Sequence, residues 1–452
     1  MTMMLAPASD ESVICIDLSE WGHVGHVQEQ RLKGVSLKED LKARKLADTL
    51  RSKVDISEGF DGLEITSTSF VGRVDVGPLR ISIRPKLPAM PLARLLRYAY
   101  GLRDLTTVEE TVSPTESHGL QDLLVSLLAA EVEELLCRGL PRRYLLTSDA
   151  LTSPRGRIRV SDIIRQGGVL EAKLPCEYFQ RQANWQLNQV LCAGLDLGAQ
   201  ITEDRDLRRR VQQLSHRFFD VDSIAGLDQN ATEKATRELT RLTEAARPAL
   251  TLIRLLQDNM GIAFNSGNQP SRMPGFLFDM NVFFQRLLSR FLHDHFSEGR
   301  IADERSIRNL FSYAADANPK KRGAPTLRPD FALFQQDKCL AFLDAKYRDV
   351  WTRNFEPSWL YQLSAYALAS ATKVSVMLYA TMAQEARDEQ IDICPPIGAL
   401  KLKQASIILR PVSLPKLAHL IRLQGKGADT ERRSFAHRLV GLEATKDQVT
   451  AA

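Results

Sequence analysis

Leu327-Arg-Pro-Asp-Phe-Ala-Leu-Phe-Gln-Gln-Asp-Lys-Cys-Leu-Ala-Phe-Leu-Asp-Ala-Lys346 decides how this chain folds and what chemistry it carries. Apolar Phe331 and Leu333 on one side, and Leu340 and Phe342 on the other, flank a polar run from Gln335 to Lys338. Two strands are therefore expected, around Leu327–Phe334 and Cys339–Lys346, folded into an antiparallel pair by that polar turn. Side chains two apart on a strand leave the same face, so Asp344 and Lys346 point together, and the turn sets Asp330 beside Asp344. Two acids and a lysine next to a core are costly unless they pair or hold a metal.

That arrangement suits phosphodiester hydrolysis. A divalent cation there activates water and neutralises the phosphate, and magnesium takes one or two carboxylates plus water and phosphate oxygens. Asp330 and Asp344 are the expected Mg²⁺ ligands, helped by the backbone carbonyl of Ala345, with Mn²⁺ as a substitute ion. Lys346 is expected to orient or deprotonate the attacking water. The pattern is that of a metal-dependent endonuclease of the PD-(D/E)xK type.

The surrounding sequence extends this site. A helix over Ser358–Ser370, capped by Ser358, carries Gln362 and Tyr366 on one face, expected to support the site or contact the DNA backbone. Arg348 and Arg353 follow the second strand and are candidates for phosphate contact. Lys320, Lys321 and Arg322 precede Asp330 in a loop that either grips DNA electrostatically or is simply solvated. A helix over Asp279–Phe296 comes before, and a strand at Lys373–Thr381, a strand at Ser406–Val412 and a helix at Lys416–Leu423 come after. Beyond Gly425 the sequence is charged and polar, with one helical turn expected in a loosely held tail.

Phe278-Asp-Met-Asn281 entering a helix, Arg328-Pro-Asp330, Leu343-Asp-Ala-Lys346, and Tyr361-Gln362 with Tyr366 together resemble the McrC family, the nuclease subunits of modification-dependent (5-methylcytosine) restriction systems. The Gln-x-x-x-Tyr pair is also similar to RecB-type nucleases. Weaker echoes lie at Gly77–Lys86, Arg155-Gly-Arg157 and Cys176 through Asn188. The resemblance implies a DNA-cutting defence subunit working with an AAA+ GTPase (McrB-like) motor, whose N-terminal part docks on the motor and stimulates it. Relatives usually show an acid at the position matching Gln285. Its absence here puts metal affinity in question, with Glu304 or Asp279 as substitutes. Gln285 also keeps open an alternative: a non-catalytic assembly and activator subunit of an AAA+ motor, with a degenerate nuclease fold. An RNA-directed nuclease of the same fold is a third reading.

Upstream, Phe70–Lys86 reads as a hairpin turning near Asp75 to Pro78, with Leu79, Ile81 and Ile83 on one face and Arg80, Ser82 and Arg84 on the other. That basic face suits either a phosphate backbone or plain solvent. Helical periodicity starts at Ser117–Arg138 and returns over Asn184–Leu197, Leu207–Phe218 and Thr232–Gln257. The expected architecture is multidomain α+β. It comprises a strand-rich N-terminal domain (1–115) for partner docking, a helical middle domain (116–270), an α/β nuclease domain with a mixed central sheet (271–424) and a polar tail (425–452).

Composition excludes several alternatives. With 60 basic and 55 acidic residues, the net charge of +5 permits nucleic-acid binding but does not argue for it. No apolar run approaches the roughly 20 residues that span a bilayer, and the N-terminus lacks a leader pattern, so a cytoplasmic, membrane-free protein is expected. The six cysteines form no C-x-x-C pair and are expected to be small core residues. His293-x-His295 points its rings apart on a helix, and no G-x-x-x-x-G-K-[ST] loop is present, so any nucleotide-driven motor is a partner chain.

Overall fold

The computed structural model describes residues 13–103, 119–168, 172–222, 227–260, 275–307, 310–394 and 403–442. The chain divides into two compact units: Met1–Asp104 with Leu277–Ala452, and Leu105–Phe276. The sequence reading separates 1–115 from 271–424, whereas here both ends of the chain build one unit. The causes are helix packing, with the helix at Ala89–Tyr100 lying against those at Met280–His295 and Leu414–Arg422, and strand pairing. β10 (Phe276–Asp279) lies beside β5 (Phe70–Val76) in a four-stranded sheet of order β1-β6-β5-β10, with β1 at Ile14–Ser19 and β6 at Leu79–Arg84.

The β5–β6 hairpin forms as its alternation predicts. Leu79, Ile81 and Ile83 are buried, and Gly77 (φ +56°) makes the turn, where a Cβ would lie 2.9 Å from the Ala43 methyl. On the other face Arg80 pairs with Asp75 at 3.0 Å and Arg84 with Asp17 at 3.2 Å. The basic stripe is thus matched by carboxylates of its own sheet. A three-stranded sheet of order β2-β4-β3 (His23–Gly25, Leu63–Ser67, Val54–Glu58) and helices α1 (Leu41–Leu50) and α2 (Ala89–Tyr100) complete the N-terminal part.

The C-terminal part is a mixed six-stranded sheet of order β11-β12-β13-β14-β16-β15. β11 (Arg300–Asp303), β12 (Phe331–Gln335) and β13 (Lys338–Lys346) pair antiparallel. β14 (Val374–Thr381) and β16 (Ala405–Ser413) continue in parallel with β13, and β15 (Glu389–Ile393) closes the edge antiparallel. β14 and β16 are buried along nearly their whole length, as expected for strands covered on both faces. Ala332, Phe342, Met377, Tyr379, Ile407 and Leu409 form one apolar cluster with Leu363 and Tyr366 of α10 (Pro357–Ala369). Against β13 also packs α9 (Met280–His295).

Element ends differ from the sequence reading in physically explicable ways. Pro357, not Ser358, opens α10; Glu356 is its N-cap residue, and no side chain caps the helix. α11 (Leu414–Arg422) starts two residues earlier than expected because Ser413 caps it and Pro415 sits in its first turn. The polar tail is not loose: α12 (Lys426–Val440) buries Ala428, Phe435, Ala436, Leu439 and Val440. Fully buried Arg410 anchors it, pairing with Asp388 at 2.7 Å and donating to the carbonyls of Leu439 and Gly441.

The second unit holds helices α3 (Leu120–Cys137), α5 (Gln186–Ile201) and α6 (Arg205–His216) about as the periodicity predicts. The long segment expected over Thr232–Gln257 is instead two helices, α7 (Gln229–Arg237) and α8 (Arg247–Asn259), because Pro248 has no N–H to continue a helix and starts a new one. The unit is not purely helical either. A sheet of order β7-β9-β8 (Arg143–Leu151, Leu174–Gln182, Arg157–Ile158) precedes α5, with the short α4 (Val160–Arg165) inside it. All six cysteines are free, but only Cys176 is buried, while Cys15, Cys137 and Cys394 are exposed. Among the described residues, no helix is long and apolar enough to cross a membrane.

Candidate active site

Asp330, Asp344 and Lys346 converge where the β12–β13 hairpin outruns its own pairing. The ladder runs from Gln335↔Lys338 to Phe331↔Leu343 with one bulge, at Leu340, and Gln336 takes a left-handed conformation (φ +53°) at the turn. Past Leu343, β13 has no β12 backbone opposite it. The Asp330 side chain takes over that role, with Oδ2 accepting the Ala345 N–H at 2.7 Å. Phe342, Asp344 and Lys346 share the face that packs on α10, so alternation carries the strand from apolar core to charged site.

Asp344 is 2% exposed, and its Oδ2 lies 2.8 Å from Lys346 Nζ. The contact is charge-assisted, and beyond Lys346 no hydrogen bond reaches Oδ2. The contact is a charge pair that leaves a lone pair on a buried oxygen open to a further cation. From α10, Gln362 Nε2 donates to Tyr366 Oη at 2.8 Å and lies 3.4 Å from Asp344 Oδ1. Gln362 and Tyr366 therefore share one face and meet the site there.

Burial raises both carboxyl pKa values above the ordinary carboxylate range. For Asp330, burial is followed by repulsion from Asp344, while the Ala345 N–H and Lys346 pull the other way. For Asp344, burial outweighs the opposing attraction of Lys346. Tyr366, 1% exposed, is pushed up to about 12 by burial, against the Gln362 hydrogen bond. Two carboxylates that resist ionising side by side constitute a site that a divalent cation would stabilise. Among the described residues, no cluster of three or more His, Cys, Asp or Glu has metal-binding geometry. The two carboxylates could serve as donors by themselves, since magnesium takes one or two when water and phosphate supply the rest.

Gln285 reaches Glu304 rather than either aspartate. Its Nε2 donates to Glu304 Oε1 at 3.3 Å, Glu304 is ion-paired with Arg328, and the Glu304 N–H is held by the Asp330 carbonyl at 2.9 Å. Glu304 is close enough to contribute to the rise in the Asp330 pKa. A cavity of about 700 Å³ on this flank is lined by Gln285, Arg286, Ser289, Asp303, Glu304 and Arg328 among others. Asp279 has a different role: it is the N-cap of α9, its Oδ1 accepting the Asn281 N–H at 2.8 Å. His293 and His295 are engaged separately, with Asp303 and with Tyr98 and Phe291.

The basic candidates divide into two groups. Lys320, Lys321 and Arg322 are exposed in the loop that Asn318 closes by hydrogen bonds to Arg322. Arg348 is not open in the same way: it is ion-paired with Glu356, and its guanidinium lies over Trp21 at 5.0 Å and Trp359 at 5.6 Å. Burial and nearby Arg353 lower its pKa. Arg353 is exposed beside it.

Sequence reasoning missed three side chains that reach the residue after Lys346. Trp21 Nε1 donates to the Tyr347 carbonyl at 3.1 Å, Glu20 Oε1 accepts from Tyr347 Oη at 3.1 Å, and Asn281 Oδ1 accepts the Tyr347 N–H at 3.3 Å. Asn281 was visible only within the Phe278–Asn281 motif. Glu20 and Trp21 left no local signal.

The McrBC 5-methylcytosine restriction system component family matches residues 65–380. A chain of the refined half-complex from the tetradecameric assembly of Thermococcus gammatolerans McrB AAA+ hexamers with bound McrC is similar in structure, with a TM-score of 0.61 and 19% identity over 93% of this chain and 98% of that one. A chain of the cryo-EM structure of the Thermococcus gammatolerans McrBC complex matches at a TM-score of 0.45 and 21% identity over 66% of this chain and 89% of that one. No curated protein sequence matches significantly. The family match spans well over half of the chain and includes Asp330, Asp344, Lys346, Gln362 and Tyr366. This chain therefore belongs to the McrBC family of 5-methylcytosine restriction system components.

Proposed function

We propose that this chain is the nuclease subunit of its restriction system: a Mg²⁺-dependent endodeoxyribonuclease with a PD-(D/E)xK centre, cutting DNA delivered by an AAA+ GTPase (McrB-like) partner. The observation that carries this reading is the convergence of Asp330, Asp344 and Lys346, with an open lone pair on buried Asp344 Oδ2. Asp330 and Asp344 hold the cation. The N–H and C=O of one strand residue leave by the same edge; the Ala345 N–H meets Asp330, so its carbonyl is the natural third protein ligand. When bound, Mg²⁺ polarises the scissile phosphate and lowers the pKa of the attacking water.

The remaining roles belong to the protein. Lys346 orients that water or takes its proton, and its charge offsets that of the developing phosphorane. Gln362, spanning Asp344 and Tyr366, fixes the Asp344 carboxylate in one orientation. Lys320, Lys321, Arg322 and Arg353 hold the DNA backbone, and Arg348 joins them once a phosphate competes with Glu356.

A second reading has one observation in its favour: Gln285, rather than an acid, faces Glu304 on the Asp330 flank. In that reading the chain activates a motor without cutting. Plasmid cleavage with Mg²⁺ and with Mn²⁺ separates the two when it is run with the full chain, alone and with the AAA+ protein of its system plus GTP or ATP. Loss of cutting in Asp344→Ala with motor stimulation preserved is the expected result. Motor stimulation without cutting by the unaltered chain would establish the second reading.

A further inference from the structure

Trp21 sits in a position that its residue type disfavours. Its φ is +58°, a left-handed conformation that is unusual for a bulky side chain and persists only where its surroundings enforce it. The bend begins where β1 ends. Trp21 N–H is held by the Thr68 carbonyl at 3.0 Å, and Gly22 N–H by Ser67 Oγ at 2.8 Å. A Cβ on Gly22 would lie 2.7 Å from the Ser19 carbonyl oxygen, so the turn also excludes a larger residue there.

The bend delivers two side chains to Tyr347. The Trp21 indole N–H holds the Tyr347 carbonyl, and Glu20 holds its hydroxyl. Glu20 is a fully buried carboxyl group whose Oε1 accepts both the Tyr347 hydroxyl and, at 2.9 Å, the Lys86 N–H, while its Oε2 has no hydrogen-bond partner. Such a group is expensive to bury and adds little to a fold that an apolar residue would not add more cheaply. Asn281, itself tied to Ser69 at 2.6 Å, holds the Tyr347 N–H. The N–H, C=O and side chain of one residue are thus each gripped from a different place. That residue directly follows Lys346, and Trp21 also lies under the Arg348 guanidinium on its other side.

We propose that Glu20 and Trp21 are positioning residues for Lys346: the bend after β1 clamps Tyr347 and thereby fixes where Lys346 stands against Asp344. β14 pairs β13 as far as Lys346↔Tyr379, but on the other edge the β12 ladder stops at Leu343, and the strand ends at Lys346. The clamp takes over just past this end, holding Tyr347 with side chains more than 320 residues away in sequence. The consequence is that the N-terminal sheet has a direct mechanical connection to the reactive lysine. Anything that shifts the segment after β1 would shift Lys346.

This inference rests on the nuclease reading for Lys346, so the test has one arm that does not. Trp21→Phe keeps the ring and removes the N–H donor, and Glu20→Gln keeps the shape and removes the charge. Amide hydrogen exchange of the full chain is expected to speed up selectively over residues 344–349 in Trp21→Phe, with other regions unchanged. Single-turnover DNA cleavage is expected to fall by about 10- to 100-fold, the range for residues that orient a reactive group, at unchanged DNA affinity and Mg²⁺ dependence. Glu20→Gln, which can still accept from Tyr347, is expected to retain more activity than Glu20→Ala. In a Lys346→Ala background, Trp21→Phe is expected to add no further loss.

Unchanged exchange over 344–349 would overturn the clamp whatever the chain's activity. Faster exchange with full cleavage, while Lys346→Ala slows cleavage, would overturn its positioning role. Should Lys346→Ala itself cut at the normal rate, the nuclease reading fails first, and the exchange result still reports whether the clamp exists.

Discussion

At the scale of single residues, the site was legible where chemistry depends on near neighbours. Asp330, Asp344 and Lys346 lie within one hairpin, and strand alternation alone places two of them on one face. Gln362 and Tyr366 are one helical turn apart and meet as expected. Glu20 and Trp21 were not legible, since nothing in a sequence marks which distant residue will hold a carbonyl. The raised carboxyl pKa values give a pH prediction. Because the folded chain favours protonated Asp330, it binds that proton more tightly than the unfolded chain does. Stability without metal therefore falls as pH rises from the ordinary carboxylate value toward the raised one, and the cost is fully present above it. Mg²⁺ is expected to raise the melting temperature more at pH 8 than at pH 5.5, and Asp330→Asn to melt no lower than the unaltered chain at pH 8 without metal. Differential scanning fluorimetry checks both, and equal Mg²⁺ shifts at the two pH values would count against them. Gln362→Ala is expected to slow cleavage by roughly 10- to 100-fold without unfolding the chain.

At the scale of elements, the β5–β6 hairpin and the apolar strands β12, β13, β14 and β16 were legible, while β1 and β4, alternately buried but short, were not. β7 exposes most of its residues, so no apolar pattern separates it from a loop. α12 carries three Arg with Lys426, Asp429 and Glu431, and it reads as a polar tail until Arg410 shows where its few apolar residues dock. That docking is testable. Arg410→Ala removes the buried ion pair with Asp388 and frees the end of α12, at an expected cost of about 3–5 kcal/mol. Leu363→Ala opens a cavity under α10 at an expected cost of about 2–5 kcal/mol. Urea unfolding measures both, and a change under about 0.5 kcal/mol for either would show that the element is not packed as described.

At the scale of the molecule, the two chain ends form one unit, with β5 pairing β10 and Glu20 and Trp21 reaching Tyr347. The sequence suggests separate N- and C-terminal domains because the joining contacts, β5 on β10, α2 on α9 and α11, and a few polar side chains, link segments far apart in the chain, and periodicity marks a buried face without naming its partner. A fragment of residues 277–452 is accordingly expected not to melt cooperatively alone and to regain a cooperative transition when co-expressed with residues 1–104. Circular dichroism thermal melts decide this, and a cooperative transition in the lone fragment would contradict it.

The central claim is that Asp330 and Asp344 together hold one divalent cation beside Lys346. Its most direct test is calorimetric titration of Mn²⁺ into the full chain and into Asp330→Ala and Asp344→Ala at pH 8. The account predicts one binding site in the unaltered chain, lost in both variants while their folded secondary structure persists. Equal Mn²⁺ binding by all three proteins would contradict it.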